Sequence, residues 1–236
     1  MNIQVMFNGK KSYDDFQLGL ESISIQPPSK KKIKESVPFM NGSYDFSTIG
    51  SSGEPVYSER NIKARFNLFE KSRDLLYIKY SNVLEWLLDT GQDQLIFTDM
   101  PDYYYLAEVE NAPSFEEVIS RLGIMEVEFV AEPFKYGADY EGDGKLWDTF
   151  CFETDALQNT SFDVAGSLNI VVVNTGRSII PQVIVSGDMS CILNGYTAVF
   201  ITAKDKDYKF KLQPGENQIT INGTGNIEFK FRKEVL

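Results

Sequence analysis

The chain contains no histidine. That removes Ser-His-Asp and Cys-His triads, HExxH zinc sites and any imidazole pH switch. Acid–base or nucleophilic chemistry would fall to carboxylates, Lys, Tyr or Cys. The two cysteines, Cys151 and Cys191, are forty residues apart without CxxC spacing. They read as buried structural thiols, not as a disulfide or a metal pair. Asp139-Tyr140-Glu141-Gly142-Asp143-Gly144 opens like an EF-hand loop, with oxygens at alternate positions and Gly sixth. The bidentate Glu such a loop needs falls instead on Phe150, so the stretch reads as a polar linker. Among the 34 acidic residues a glycosidase pair has no sequence signature, because the pair is defined by a distance in space. Tyr103-Tyr104-Tyr105 alternate faces on a strand and make no flat sugar platform. Asn169, Asn174 and Trp147 invite a lectin reading, but a sugar-binding type of fold does not establish a site.

The least ordinary stretch is Lys30-Lys31-Lys32-Ile33-Lys34, a basic run in a chain of net charge -11. With Phe39, Tyr44 and Phe46 close behind, it has the ingredients of a patch that stacks bases and neutralises phosphates. The overall acidity opposes general nucleic-acid binding, which needs Lys and Arg to displace counterions. Lysine also guards exposed strand edges, and Asn41-Gly42 is a strong hairpin signal. An extended, Lys-guarded hairpin arm over about residues 29–58 is the reading the residues favour.

The elements around this arm are mostly strands. Ile3–Phe7 ends in an Asn8-Gly9 turn, Leu20–Ile25 alternates until Pro27-Pro28, and Ile62–Leu68 follows the arm. Leu76, Tyr80, Val83, Leu84, Leu87 and Leu88 recur at helical spacing, which predicts a helix over about 72–90 with Ser72 as N-cap and Asp74 in its first turn. Gln94–Phe97, Tyr103–Val109 and Ile124–Val130 read as strands, and Ser114–Ile119 as a helical turn or a loop. Beyond a Gly- and Asp-rich linker at 138–145, runs at 169–173, 181–185, 196–202, 208–212, 217–221 and 226–231 are short and bounded by turn residues. This is the pattern of a sandwich or jelly roll. The 236 residues fit one large β domain or two ordinary ones, and 42% hydrophobic content is that of a globular chain. No apolar run has the length of about 18–20 residues that spans a bilayer. The start Met1-Asn2-Ile3-Gln4-Val5 lacks a signal peptide's basic and apolar regions, so assembly in a cytoplasm is expected.

The order of these features resembles the distal tail proteins of long-tailed, siphovirus-type phages of Gram-positive bacteria. The resembling residues are Asp15-Phe16-Gln17-Leu18, Ile23–Pro28, Val37-Pro38, Asn41-Gly42-Ser43-Tyr44-Asp45-Phe46 and Gly53-Glu54-Pro55-Val56-Tyr57. They continue into Arg60–Leu68 and the helix bearing Trp86-Leu87. In the second half they are Asn174-Thr175-Gly176, Pro181, Gly187, Leu212, Pro214-Gly215-Glu216-Asn217 and Phe229-Lys230-Phe231-Arg232.

The resemblance implies a mainly β chain. Its N-terminal β-sandwich-like domain, 1–137, would carry one helix and an extended hairpin arm and would form a hexameric ring. A C-terminal galectin-like jelly roll, 146–236, would follow the linker. The ring would join the tail tube protein to the tail-tip protein and the receptor-binding or baseplate proteins, at the virion tail tip, with DNA passing only through its lumen. The implied role is structural, without catalysis, cofactor, metal or membrane. Lys30, Lys31, Lys32, Lys34, Phe39, Tyr44 and Phe46 are then candidate subunit-interface residues. The competing reading is a carbohydrate-binding protein acting through the C-terminal jelly roll. Against it, the chain is too short for the sugar-binding module inserted in some family members, and the second half has one Trp and no His.

Overall fold

A computed structural model describes residues 3–49, 51, 53–142 and 155–236. Trp147, Phe150, Cys151 and part of the expected linker lie outside these residues. The protein is mainly β and forms two compact units, Met1–Lys135 with Leu236, and Tyr136–Val235. The first unit holds β1 (Val5–Phe7), β2 (Lys10–Lys11), β3 (Gly19–Ile25), β4 (Lys34–Glu35), β5 (Tyr44–Asp45), β6 (Arg60–Phe69), α1 (Arg73–Leu88), β7 (Asp93–Phe97), β8 (Tyr103–Glu108), β9 (Ser114–Ile119) and most of β10 (Leu122–Gly137). The second holds the end of β10, then β11 (Ser161–Asn174), β12 (Gln182–Val185), β13 (Met189–Leu193), β14 (Tyr196–Phe200), β15 (Gly215–Lys230) and β16 (Glu234–Val235).

The first unit is organised by one sheet, in the order β2-β1-β7-β8-β10-β6-β3. Asn8 and Gly9 both have positive φ, 48° and 67°, as a two-residue turn joining twisted strands requires. Strand β6 alternates along its length, with Arg60, Ile62, Ala64, Phe66 and Leu68 buried. Its register on β10 places Phe66 opposite Met125, Ala64 opposite Val127 and Ile62 opposite Phe129, so this face is apolar from Ile62 to Leu68, with buried Arg60 at its end. The other face is a charge ladder. Lys63 lies 3.7 Å from Glu126 and 3.8 Å from Glu128, and Arg65 lies 3.4 Å from Glu21. A slip of one residue would exchange the two faces, so burial fixes the register.

Helix α1 packs with the apolar face through Leu76, Val83, Trp86 and Leu87. Ser72 caps it, its side chain accepting from Leu75 N, and Asp74 sits in the first turn. Trp86 is its anchor: the indole Nε1 donates to Phe7 O at 2.9 Å, and the ring stacks on Phe16 at 4.6 Å. Strand β9 replaces the expected helical turn or loop. It pairs with Leu122–Glu126 of β10, on the edge opposite β6. Its Phe115 stacks on Tyr80 of the helix at 4.4 Å, and Glu117 accepts from Arg73 and Tyr77. Phe115 also fills the space beside Gly123, where an added Cβ would meet the ring at 2.3 Å.

In the second unit β15 organises the fold. One edge pairs with β11 from Ser161 to Asn174, and the other carries β13 and then β12. The two runs expected at 217–221 and 226–231 are thus one bent strand. Gly223 and Gly225, at φ 149° and 131°, lie where the partner changes, and a Cβ on Gly223 would meet Asp188 O at 2.9 Å. The expected strand at 208–212 makes only the bridge between Ile179 and Leu212. Phe210 instead packs between Phe200 of β14 and Phe229 of β15, at 5.4 and 6.3 Å, closing the core. Cys191 is fully buried there, and burial pushes its thiol up to about 12.

Candidate assembly interface

The stretch between β3 and β6 is a hairpin held at its root. At the root Lys30 bridges to Tyr57, Lys31 N donates to Val56 O at 2.8 Å, and Ser58 N donates to Ser29 O at 2.8 Å. Tyr57 meets Phe134 edge to face at 5.7 Å. Arg60, the first residue after the arm, is buried, donates to Pro133 O and lies 5.4 Å from the Tyr105 ring. Desolvation lowers its pKa, with Tyr105 opposing. Further out, β4 and β5 pair Lys34 with Asp45 and Glu35 with Tyr44. On the return, Ser51 N donates to Thr48 O at 3.3 Å and Glu54 N to Ser51 O at 3.1 Å before the chain rejoins the root.

This register decides what each side of the arm presents. Phe46 N donates to Ile33 O at 2.8 Å, so Ile33 and Phe46 are partners, on the same side as Glu35 and Tyr44. Tyr44 and Phe46 stack on that side with ring centroids 6.1 Å apart. Lys34 and Asp45 are on the opposite side, where Lys32 Nζ lies 3.1 Å from Asp45. The Asp45 carboxylate accepts from Ser47 N and from Lys32. Bonds from Ser47 first, then Lys32, hold it far below the usual carboxylate range. The hairpin is therefore amphipathic: Ile33, Tyr44 and Phe46, 56%, 53% and 38% exposed, dominate one face, which Glu35 shares, and Lys32 and Lys34 belong to the other.

The tip departs from the expected Asn-Gly turn. The hydrogen-bonded turn is Val37-Pro38-Phe39-Met40, closed by Met40 N to Val37 O at 3.1 Å. Pro38 occupies its second position and Phe39, at φ 68°, its third, where such a turn favours Gly or Asn. An aromatic residue in the left-handed region costs on the order of 1–3 kcal/mol and persists at functional sites. Phe39 is also fully exposed.

The structure thus brings Tyr44 and Phe46 together and sets Phe39 at the tip. Lys30 and Lys31 lie in the root and Lys32 and Lys34 on the polar face. Ile33, which the sequence reading passed over as part of the basic run, joins the aromatics. Its signal was the alternation of Lys32, Ile33 and Lys34. Asn174 is buried, and its side chain is used internally, donating to Arg177 O and Leu212 O and accepting from Gly176 N. It ties a loop and is not presented to a sugar. Asn169 is exposed, its side chain accepting from Thr220 at 2.7 Å. Among the described residues no cluster of His, Cys, Asp or Glu could hold a metal ion, and no helix is long and apolar enough to cross a membrane.

Mainly β, with one helix among the described residues, the chain has the fold of a siphophage tail protein. Residues 8–131 match the phage tail protein RIFT-related domain, and the chain belongs to that family of phage tail proteins. Its fold is similar to the crystal structure of the Dit protein (gp 19.1) of phage SPP1, with a TM-score of 0.69 and 13% identity over 99% of each chain. That protein is described as a paradigm of the hub adsorption apparatus in phages infecting Gram-positive bacteria. A comparison with curated proteins gives no match.

Proposed function

We propose that this protein is a structural, non-catalytic component of the tail tip whose first unit assembles into a hexameric ring. The ring joins the tail tube to the tail-tip and host-adhesion proteins, and DNA crosses its lumen in transit. The second unit is the galectin-like jelly roll of such proteins. The observation that carries the reading is the amphipathic arm. Its apolar face and its strained tip aromatic are exposed in a single chain, and a long polar excursion from a compact domain is uncommon unless it has a function.

The arm supplies a head-to-tail contact: each copy gives one arm and receives another, and such contacts close into rings. Residues 29–58 match in number the 20–30 residues that each partner gives to an interface of standard size. Phe39, Tyr44 and Phe46 with Ile33 are the apolar anchors, since aromatic residues dominate interface energies. Lys30, Lys31, Lys32 and Lys34 border the contact and guide its register and rate. Replacing Ser29–Ser58 by a short Gly/Ser linker should leave both units folded and convert the protein to monomer in sedimentation velocity. A linker variant that still sediments as a ring, or a full chain that stays monomeric at high concentration, would refute the reading.

A further inference from the structure

We propose that the side chains of Lys233 and Asp155 condense to an amide, a covalent cross-link within the second unit that is independent of the ring reading. The alternation that buries Ile227, Phe229 and Phe231 runs on to Lys233, so a lysine occupies a core position. Lysine is almost never fully buried unless its ammonium is paired. Here Lys233 Nζ donates to Asp155 Oδ1, and the two side chains are each 6% exposed. The Lys79–Glu70 pair of the first unit keeps 12% and 22%. Backbone and stem both hold the lysine in place. Gly137 N donates to Lys233 O at 2.9 Å, and a Cβ on Gly137 would come within 3.2 Å of Lys233 Cγ. A second carboxylate is buried at this end of the unit. Glu141 is 2% exposed, and both its side-chain oxygens are out of reach of solvent. Glu141 N donates to Phe231 O at 2.9 Å, on the run that leads to Lys233, and Glu141 O accepts from Thr160 Oγ1 at 3.3 Å, on the run that follows Asp155.

An amine, a carboxyl group and a second carboxyl group to carry protons are what amide formation needs. Taking an ammonium and a carboxylate out of water costs about as much as their attraction returns, and burial disfavours both charged forms. Passage of the shared proton from Lys233 Nζ to Asp155 leaves a neutral amine against a neutral carboxylic acid. The Nζ lone pair then adds to Asp155 Cγ and the C–N bond forms. Glu141 takes the proton that Nζ sheds and delivers one to the departing hydroxyl, the C–O bond breaks and one water leaves. Glu141 ends as it began, and no oxidant, reductant or cofactor enters. Reacting atoms held in contact need no encounter, which is the source of the large rate gains of intramolecular reactions. The product removes two buried charges. It also ties the segment entering β11 to the segment leaving β15, the two strands paired from Ser161 to Asn174.

The test is the mass of the intact full chain, purified and then denatured, together with peptide mapping. Corrected for processing of the N-terminus, the mass should be lower than that of the sequence by one water. A protease digest should contain a branched peptide in which the segment with Asp155 is joined to the segment with Lys233. Lys233→Arg keeps the charge and Asp155→Ala removes the acceptor, and each should have the full sequence mass and no branched peptide. Glu141→Gln should close slowly, so that unlinked chain is present after purification and declines on incubation. A wild-type chain of full mass without the branched peptide overturns the proposal, and that measurement needs no variant to fold. Loss of one water that persists in Lys233→Arg places the dehydration elsewhere and overturns it as well. A Glu141→Gln chain fully linked on purification overturns the proton-carrying role of Glu141, while the branched peptide still establishes the cross-link.

Discussion

Replacing Trp86 by Phe tests whether α1 is docked as described. Phe at this position retains a ring against Phe16 but loses the bond from Nε1 to Phe7 O. That bond is buried and links the helix to β1, so its loss costs about 1 kcal/mol net. The missing part of the indole removes about 50 Å² of buried apolar surface, about 1.2 kcal/mol at 25 cal/mol per Å². The variant should therefore be destabilised by about 2–3 kcal/mol. For a unit of this size that is a fall of roughly 6–15 °C in the first unit's transition, taking about 3–5 °C per kcal/mol. Differential scanning calorimetry of the full chain reads this directly, and the second unit's transition serves as an internal standard. A shift of less than about 2 °C in the first unit's transition would mean that the indole is not a buried tie between helix and sheet. The packing described for Trp86, Phe16 and Phe7 would then be refuted.

Two leucines of the same helix should separate. Leu87, fully buried, should lose about 2–5 kcal/mol on change to Ala and the half-buried Leu84 about half of that, both read by chemical denaturation, with equal losses counting against the helix's orientation. In a Cys151→Ser background the Cys191 thiol, raised by burial to about 12, should hold only about one thiolate in ten thousand at pH 8 and resist a disulfide reagent until the protein is unfolded. Rapid labelling of the native protein would show that the thiol is accessible.

Much of this architecture is legible residue by residue. The turn at Asn8-Gly9, the cap at Ser72 and the alternation through Arg60–Leu68 act within a few residues, and local physics is enough to place them. The helix runs from Arg73 to Leu88 inside the expected span, but periodicity ranked its leucines and missed Trp86. The order of motifs along the chain pointed to phage tail proteins, which the match over residues 8–131 shows. The basic, aromatic-bearing arm was likewise visible as an anomaly of composition.

What the sequence could not decide is pairing. Ser114–Ile119 has no strong strand pattern and becomes β9 because β10 offers an edge and Phe115 a place over Gly123. The separate runs at 217–221 and 226–231 become one strand because glycines let it bend between two partners. In the arm, lysines and aromatics adjacent in sequence looked like a single mixed surface. Only the cross-strand register, Lys34 with Asp45 and Glu35 with Tyr44, sorts them onto opposite faces. The sequence by itself determined which residues are apolar, which turn and which carry charge. The tertiary structure decided which of them share a face, because a face is set by the partner strand, and that partner's position along the chain is not encoded in any local pattern.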